Sequence, residues 1–222
     1  MSEILDAVNL YSPQLRQHTK VGVYGQISED ELNSIEIDWR PIFEKQQAAV
    51  SIEYHSSDNY DKLNIQQLVN EYGIPDLQWD WRKKLQSSPN SNSHKTFFLK
   101  CDGEKKIEAA MQVDLTRTCH EKTQRNQHMV YIEFLAAAPW NRKQIVNPPK
   151  LLRVGTLMLS VAVSLSHDLD WNGRVGLHSL SPSEGFYKKC YMHDLGIDHH
   201  YGNLRYFEFT PQLAENFMST TT

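Results

Sequence analysis

The sequence has few cysteines, no long apolar run and no excess of positive charge, and each shortage excludes a class of protein. The cysteines, Cys101, Cys119 and Cys190, are an odd number at wide spacings, which argues against a disulfide framework and for a reducing compartment. No run approaches the roughly twenty apolar residues that a membrane-spanning helix needs. The N-terminus, with Glu3 and Asp6, lacks the basic start of a signal peptide. We therefore predict a cytoplasmic protein with no membrane partner.

The charge balance is slightly acidic, with 23 basic and 27 acidic residues and a net charge of −4. A chain with this balance has no global basic field that would gather a polyanion, which disfavours nucleic acid as a partner. The 222 residues, of which 40% are hydrophobic, are ample for one substantial core. These bulk properties agree with a cytosolic enzyme.

The stretch from 130 to 139 predicts a buried strand with an accessible end. Residues Val130 to Leu135 are mostly β-branched or aromatic, and Pro139, which cannot donate to a sheet ladder, places the end of the strand near Ala138. The small side chains of Ala136 and Ala137 leave the backbone accessible, so an extended, amide-bearing ligand such as pantetheine could pair with it as an added strand would.

A basic loop then leads into an amphipathic helix. Arg142 and Lys143 follow the strand, and the segment 148–156 combines prolines, a lysine, an arginine and Gly155. Positive charge and backbone N–H groups therefore meet at a helix N-terminus, which predicts an anion site, and Gly155 would let the backbone approach a phosphate closely. The helix itself is indicated by apolar residues at helical spacing, namely Val154, Leu157, Met158, Val161, Ala162 and Leu165.

A short strand and a further helix are predicted after Asn172-Gly173. Residues 174–178 have the pattern of a strand, and Ser181-Pro182-Ser183-Glu184 supplies the start signals of a helix that carries Tyr187. In this order the motifs resemble those of the GNAT superfamily of N-acetyltransferases over roughly the last two-thirds of the chain. The motifs that carry the resemblance are Leu135-Ala136-Ala137-Ala138-Pro139, Arg142, the run from Arg153 to Leu159, and the run from Gly185 to Met192.

The resemblance implies an α/β (α+β) fold with a mixed, mostly antiparallel central sheet flanked by helices, and an acyl-CoA as cosubstrate. The positions that it implies for cofactor binding are Leu135, Ala136, Ala137, Arg142, Lys143, Arg153, Val154, Gly155 and Thr156. Two features depart clearly from the family's pattern, and a smaller third is Tyr191, where the family often has a glycine. Arg153 stands where the pyrophosphate loop usually has a second glycine, and Gln144 to Leu152 lengthen a loop that is ordinarily compact.

Acyl transfer to an amine needs an unprotonated amine, an oxyanion donor and a proton for the thiolate that leaves. A lysine-type amine has a pKa of about 10.4, so a base or a desolvating pocket has to help. Strand alternation places Glu133 on the face expected to meet the thioester, which makes it the candidate base, with His178 as the second. Tyr187 is the candidate acid, and a backbone N–H near Ala136 or Ala137 is the candidate oxyanion donor. Each side chain also has a structural alternative, an ion pair for Glu133 and a structural histidine or tyrosine for the others.

The predicted elements and the resemblance together divide the chain into an N-terminal arm of unknown role, residues 1–48, and a GNAT-like acyltransferase domain, residues 49–222. In the arm, Ser28-Glu29-Asp30-Glu31 predicts a capped helix start and Trp39-Arg40-Pro41 predicts a break. Ala49 to Tyr54 alternates and predicts the first strand of the domain. Further elements are predicted as helices at 63–72, 79–85 and 212–218 and as strands at 96–100, 107–115 and 204–209.

The leading hypothesis is an acyl-CoA-dependent N-acyltransferase, with acetyl-CoA as the default donor and a primary amine of a small molecule or peptide as the acceptor. A catalytically degenerate protein of the same fold that binds acyl-CoA or a protein partner is the alternative, and a toxin-type transferase acting on aminoacyl-tRNA is a third. A homodimer is left open. No metal site is predicted, because the histidines and cysteine near the end of the chain lack paired ligand spacing; they are Cys190, His193, His199 and His200.

Overall fold

The computed structural model describes residues 4–56, 64–86 and 92–221 and contains eight strands and six α-helices in these ranges. The strands are β1 (Ile4–Ser12), β2 (Gln17–Tyr24), β3 (His94–Cys101), β4 (Ile107–Asp114), β5 (Val130–Ala137), β6 (Val175–Ser179), β7 (His193–Asp198) and β8 (Leu204–Phe209). The helices are α1 (Glu29–Ser56), α2 (Ile65–Glu71), α3 (Trp81–Gln86), α4 (Val154–Asp168), α5 (Glu184–Lys189) and α6 (Pro211–Thr221).

The strands are hydrogen-bonded in the order β1-β2-β3-β4-β5-β6-β8-β7. The β1–β2, β2–β3, β6–β8 and β7–β8 pairs are antiparallel, and β5 and β6 are parallel. The parallel pair is joined by α4, which supplies the crossover that such a pair requires. The predicted fold class, a mixed and mostly antiparallel sheet flanked by helices, is confirmed.

Tertiary contacts divide the chain into two compact units. Unit 1 comprises residues 1–87, 98–110 and 136–154, and unit 2 comprises residues 88–97, 111–135 and 155–222. Within the described ranges, every helix is too short or too polar to cross a lipid bilayer.

The N-terminal residues form regular structure within unit 1. The hairpin of β1 and β2 pairs with β3, in the register that sets Val21 opposite Cys101. Helix α1 begins at the predicted capping box, in which the Glu31 N–H donates to Ser28 Oγ and the Ser28 N–H donates to the Glu31 carboxylate. The helix runs from residue 29 to residue 56 and so continues across residue 48, the boundary predicted for the arm.

Two predictions made for this helix are wrong. Ala49 to Tyr54 is helical rather than a strand, and Pro41 lies inside α1 rather than at a break. The reason is the buried stripe that α1 presents to its unit, which is formed by Ile35, Trp39, Phe43 and Val50. Pro41 lies on the exposed side, where water can satisfy the carbonyl that loses its partner.

In unit 2 the predicted elements are confirmed with small shifts of their ends. Helix α4 buries four of the six apolar residues predicted for its stripe, Val154, Met158, Ala162 and Leu165, and leaves Leu157 and Val161 half-buried. Strand β8 pairs with both β6 and β7, and its last four residues, Tyr206 to Phe209, are buried. Strand β7 is an edge strand whose residues alternate between exposed and half-buried.

Candidate active site

Strands β5 and β6 pair over only a short distance. Their parallel ladder joins Val130 with Val175, Tyr131 with Gly176 and Ile132 with Leu177. Both strands run beyond these pairs, β5 to Ala137 and β6 to Ser179. A strand edge that its neighbour does not pair can accept an extended ligand by β-augmentation.

Glu133, the candidate base, lies just past the end of this ladder and is partly exposed. Its Oε2 is 3.5 Å from Nε2 of His94 on β3, and both side chains are 21% exposed. The structural alternative stated for Glu133, a contact with a basic neighbour, is therefore present. The proximity of an imidazole does not remove the base function, because a neutral histidine can accept or donate a proton beside the carboxylate.

Asp114 lies close to Glu133 and His94 and is the third ionisable side chain of this cluster. Burial works to raise its pKa, but hydrogen bonds from Thr116 and Arg117 outweigh burial and hold the pKa below its usual range. Ligand atoms of His94, Asp114 and Glu133 lie within 4.8 Å of one another, close enough for a cation to join them. Arg117 already compensates the Asp114 charge by an ion pair of 2.9 Å, so the carboxylate is balanced without a metal.

His178, the second candidate base, is held at both ring nitrogens. Nδ1 lies 2.8 Å from the Tyr131 hydroxyl, and Nε2 lies 3.1 Å from Oδ2 of Asp198. Tyr201 stacks on the imidazole with the ring centroids 4.0 Å apart. Burial lowers the pKa of His178, and the nearby Asp198 carboxylate only partly offsets this effect. The ring is therefore neutral near pH 7.

Tyr187, the candidate acid, is a buried side chain on α5. Its ring contacts Phe186 and Phe207, with centroid distances of 5.1 and 5.7 Å, and 7% of the residue is exposed. Burial raises its pKa well above the usual value, so the hydroxyl is protonated at neutral pH but is a weaker proton donor than an exposed tyrosine. Helix α5 also packs on the start of α4. The Phe186 ring lies so close to Gly155 that a Cβ added there would be 3.2 Å from Cζ of Phe186.

Arg142, predicted to bind the pyrophosphate, is occupied by protein groups within unit 1. Two of its nitrogens form an ion pair with Asp76 at 2.5 and 2.7 Å, and its remaining bonds go to the carbonyls of Ala137 and Gly73. These bonds use all the donors of a guanidinium group. Arg142 thus anchors the end of β5 in this structure, and it would have to leave Asp76 before it could bind phosphate.

The residues after the insertion combine exposed charge with a turn of unusual backbone. Arg153 has a φ of 63°, in the left-handed region that favours glycine. The glycine-like conformation therefore occurs where the family's pattern has a glycine, although the residue is an arginine. The side chains of Arg153 and Lys143 are exposed, Val154 is buried, and α4 begins at Val154.

The long loop is organised by a carboxylate that sequence reasoning missed. Glu108 on β4 is 0% exposed, and its carboxylate accepts hydrogen bonds from three side chains of the loop. The donors are Trp140 Nε1 at 2.6 Å, Asn141 Nδ2 at 2.8 Å and Lys150 Nζ at 2.6 Å. A lone glutamate in a strand pattern gives no signal of this role, because its partners lie more than thirty residues along the chain.

The cysteines offer no reactive thiol. Cys101, Cys119 and Cys190 are free and buried, and burial raises the pKa of Cys101 and Cys119 to about 12 and that of Cys190 to about 11. Because the thiolate is the nucleophile, cysteine chemistry is disfavoured at neutral pH.

Comparison with known proteins gives matches of fold only. No protein-family model matches the sequence, and no curated protein matches it. Solved structures do match. Several of them are GNAT proteins. They include the PaiA N-acetyltransferase from Thermoplasma acidophilum in complex with coenzyme A, at 13% identity and a TM-score of 0.46, covering 85% of this chain and 97% of the other.

Two further matches cover nearly the whole chain. Apo FdhC, a nucleotide-linked sugar GNAT, has 10% identity and a TM-score of 0.46 and covers 100% of this chain and 97% of its own. A GNAT-family acetyltransferase from Listeria monocytogenes has 11% identity and a TM-score of 0.46, and the match covers 91% of this chain and 99% of the other. Similarities this low determine neither activity nor substrate, so any function has to be supported by the residues of this chain.

Proposed function

We propose that this protein is an acyl-CoA-dependent N-acyltransferase that transfers the acyl group directly to a primary amine of a small molecule or peptide, with acetyl-CoA as the default donor. The observation that carries the proposal is the early end of the β5–β6 ladder. It leaves the small-residue end of β5 beyond its parallel neighbour, and β5 is the strand whose motif resembles a pantetheine-binding strand.

The donor is assigned to two stretches of chain. Pantetheine would pair with the backbone of β5 at Leu135, Ala136 and Ala137. The phosphates would lie at the N-terminal turn of α4, at Gly155 and Thr156, because the first N–H groups of a 15-residue helix have no partner within the helix and its dipole favours an anion. Arg153 and Lys143 would add positive charge from exposed positions.

The chemistry is assigned to groups of unit 2. A carboxylate or a neutral imidazole system near the end of the ladder, Glu133 or His178, would take the proton of the amine. Tyr187, whose hydroxyl is protonated at neutral pH, would give its proton to the thiolate as the C–S bond breaks, and its raised pKa works against early transfer. The tetrahedral oxyanion would be stabilised by a backbone N–H of β5.

The saturated guanidinium of Arg142 favours a second candidate function, a GNAT-like protein that binds acyl-CoA or a protein partner without catalysis. If Arg142 stays with Asp76, one cationic group fewer is available for the phosphates. Such a protein could still bind acyl-CoA at the proposed donor site, but it would need neither a general base nor a general acid.

Calorimetric titration tests the proposal, with acetyl-CoA, free CoA and a medium-chain acyl-CoA as ligands. We expect micromolar binding of acetyl-CoA, abolished by Gly155→Glu because it adds bulk and negative charge at the N-terminal turn of α4. The added Cβ would also lie 3.2 Å from Phe186, so thermal melting checks that this variant folds. Ser164→Glu adds the same charge at an exposed position farther along α4 and should bind normally. Binding followed by thiol release with an amine supports the enzyme, and binding without release with any amine supports the second candidate. No binding to any of the three ligands overturns the enzyme and leaves the second candidate only as a protein that binds a protein partner.

A further inference from the structure

Tyr131, His178 and Asp198 form a continuous hydrogen-bonded chain within unit 2. Both nitrogens of His178 are engaged by protein groups, one by the Tyr131 hydroxyl at 2.8 Å and one by the Asp198 carboxylate at 3.1 Å. A substrate amine therefore finds no open nitrogen on this ring. Any base function of His178 has to pass through one of its two partners.

The partners determine which nitrogen carries the proton. Hydrogen bonds from the His200 N–H and from His178 lower the pKa of Asp198, so the group is a carboxylate and accepts only. Nε2 of the neutral imidazole must then carry the hydrogen. Nδ1 is left with a lone pair, and the Tyr131 hydroxyl donates to it. This is the arrangement in which a carboxylate orients a histidine so that it can take the proton of a hydroxyl group.

We propose that Tyr131, His178 and Asp198 are a proton relay, in which the Tyr131 oxygen takes the proton lost by the acceptor amine while its own proton passes to Nδ1 of His178. An N–H bond of the amine breaks and an O–H bond forms on Tyr131, while the original O–H bond breaks and an N–H bond forms on His178. The imidazolium is stabilised by Asp198, and the thiolate takes its proton separately. This inference rests on the proposed function. Tyr131 is then the catalytic residue that meets the amine, His178 receives the Tyr131 proton, and Asp198 positions His178.

Tyr131 is a buried residue, 4% exposed, and the relay requires the amine to reach its hydroxyl oxygen. It occupies the second of the three pairs of the β5–β6 ladder, and Glu133 follows two residues later on the same face, about 6.6 Å along the strand. Opposite Tyr131 stands Gly176, where an added Cβ would lie 2.7 Å from the Tyr206 hydroxyl. Burial, aided by Tyr201, raises the pKa of Tyr131 far above its usual value. A free phenolate is thus disfavoured, and the two proton movements have to be concerted.

Other groups around His178 set the pH range of the relay. Besides Tyr131 and Asp198, the titratable or charged groups that face it are Arg117, His120, Tyr201 and Tyr206. Arg117 and His120 add to burial in lowering the pKa of His178. The imidazole therefore stays neutral below its usual pKa of about 6.5, and the relay should remain competent into mildly acidic solution.

Nitrogen NMR of the full-length protein labelled with ¹⁵N-histidine tests the relay without an acyl donor. We expect neutral His178 at pH 7 with its hydrogen on Nε2. In Asp198→Asn the amide oxygen should face the His200 N–H and the NH₂ group should face Nε2, which forces the hydrogen of His178 to Nδ1. Asp168→Asn, at an exposed position near the end of α4, removes the same charge and should leave the His178 signals unchanged.

Enzyme kinetics test the catalytic role of Tyr131. The acceptor is an amine that supports thiol release from the acyl-CoA. Asp198→Asn and Tyr131→Phe should each lower kcat by about a hundredfold or more with little change in KM for the acyl-CoA. Thermal melting checks that both variants fold, and Tyr131→Phe keeps the ring that Arg117 covers at 5.3 Å. An Nδ1–H tautomer in the unmodified protein overturns the relay, as does a kcat within about threefold of normal in both variants. Failure of acyl-CoA binding would overturn the proposed function instead, while the NMR result would stand independently.

Discussion

The prediction that depends most directly on the structure is that Glu108→Gln will destabilise the protein strongly. The carboxylate is fully buried and accepts from Trp140, Asn141 and Lys150. Trp140 and Asn141 donate to Oε2, and Lys150 donates to Oε1. A glutamine has one oxygen and one NH₂ group, so in either orientation a donor of the loop would face another donor.

The expected loss follows from the cost of breaking a buried ion pair by removing one partner, about 3–5 kcal/mol. Lys150 is 22% exposed and also contacts Glu104, so we expect the lower end, about 3 kcal/mol. Urea unfolding measures this value. With a slope of about 2–3 kcal/mol/M, the midpoint should fall by roughly 1 M at an unchanged slope.

Two controls separate the network from a general effect of lost charge. Glu104→Gln removes the other carboxylate that contacts Lys150, but Glu104 is 43% exposed, so the change should cost less than about 1 kcal/mol. Combining Glu108→Gln with Lys150→Met should give a coupling energy of at least about 1 kcal/mol. A loss below about 1 kcal/mol for Glu108→Gln, or additivity in the double variant, would refute the reasoning.

Three further expectations can be measured separately. Tyr187→Phe should lower turnover by roughly tenfold to a thousandfold with coenzyme affinity little changed, and normal turnover would remove Tyr187 from the mechanism. Pro41→Ala should raise the free energy of unfolding by about 1–3 kcal/mol, because Pro41 is an exposed proline inside α1; a lower midpoint in urea would contradict this. Asp114 has a lowered pKa, so its stabilisation is complete above the unfolded pKa of about 3.9 and is lost as the pH falls. Asp114→Asn should therefore flatten the loss of stability below about pH 5, and an unchanged acid transition would count against its ion pair.

The sequence predicted the segment from β5 to α5 well because the signals there are local. Pro139 follows the end of a strand, the apolar stripe predicted for α4 lies within one helix, and that helix ends at Asp168, a few residues before the predicted stop at Asn172-Gly173. The same reasoning failed at Ala49–Tyr54. A short alternation of apolar and polar residues indicates a strand there, but these residues belong to a helix that is capped by Ser28 and stabilised by buried side chains along its length. The strands β1 and β2 were missed; β2 is held in the sheet by β3, which lies more than seventy residues away in the chain, and β1 joins the sheet only through β2.

The candidate side chains were found, but their partners were not. Periodicity places Glu133 and His178 on strands, yet it cannot show that His94 stands beside one or that Tyr131 and Asp198 hold the other. Nor does it reveal that Arg142 is neutralised by Asp76. Ion pairs and hydrogen bonds depend on residues that the fold brings together, whereas a motif records only one member of each.

The N-terminal segment and the insertion in the loop have one physical explanation. The insertion from Gln144 to Leu152 lengthens a loop, and a loop that is merely longer would cost ordering entropy when it binds a ligand. In unit 1 the cost is reduced beforehand, because the Leu152 N–H donates to the carbonyl of Tyr11 and the Gln14 side chain donates to the carbonyl of Pro148. The N-terminal hairpin thus supplies bonds that a shorter loop would not need, which gives this otherwise unexplained segment a structural reason to accompany the insertion.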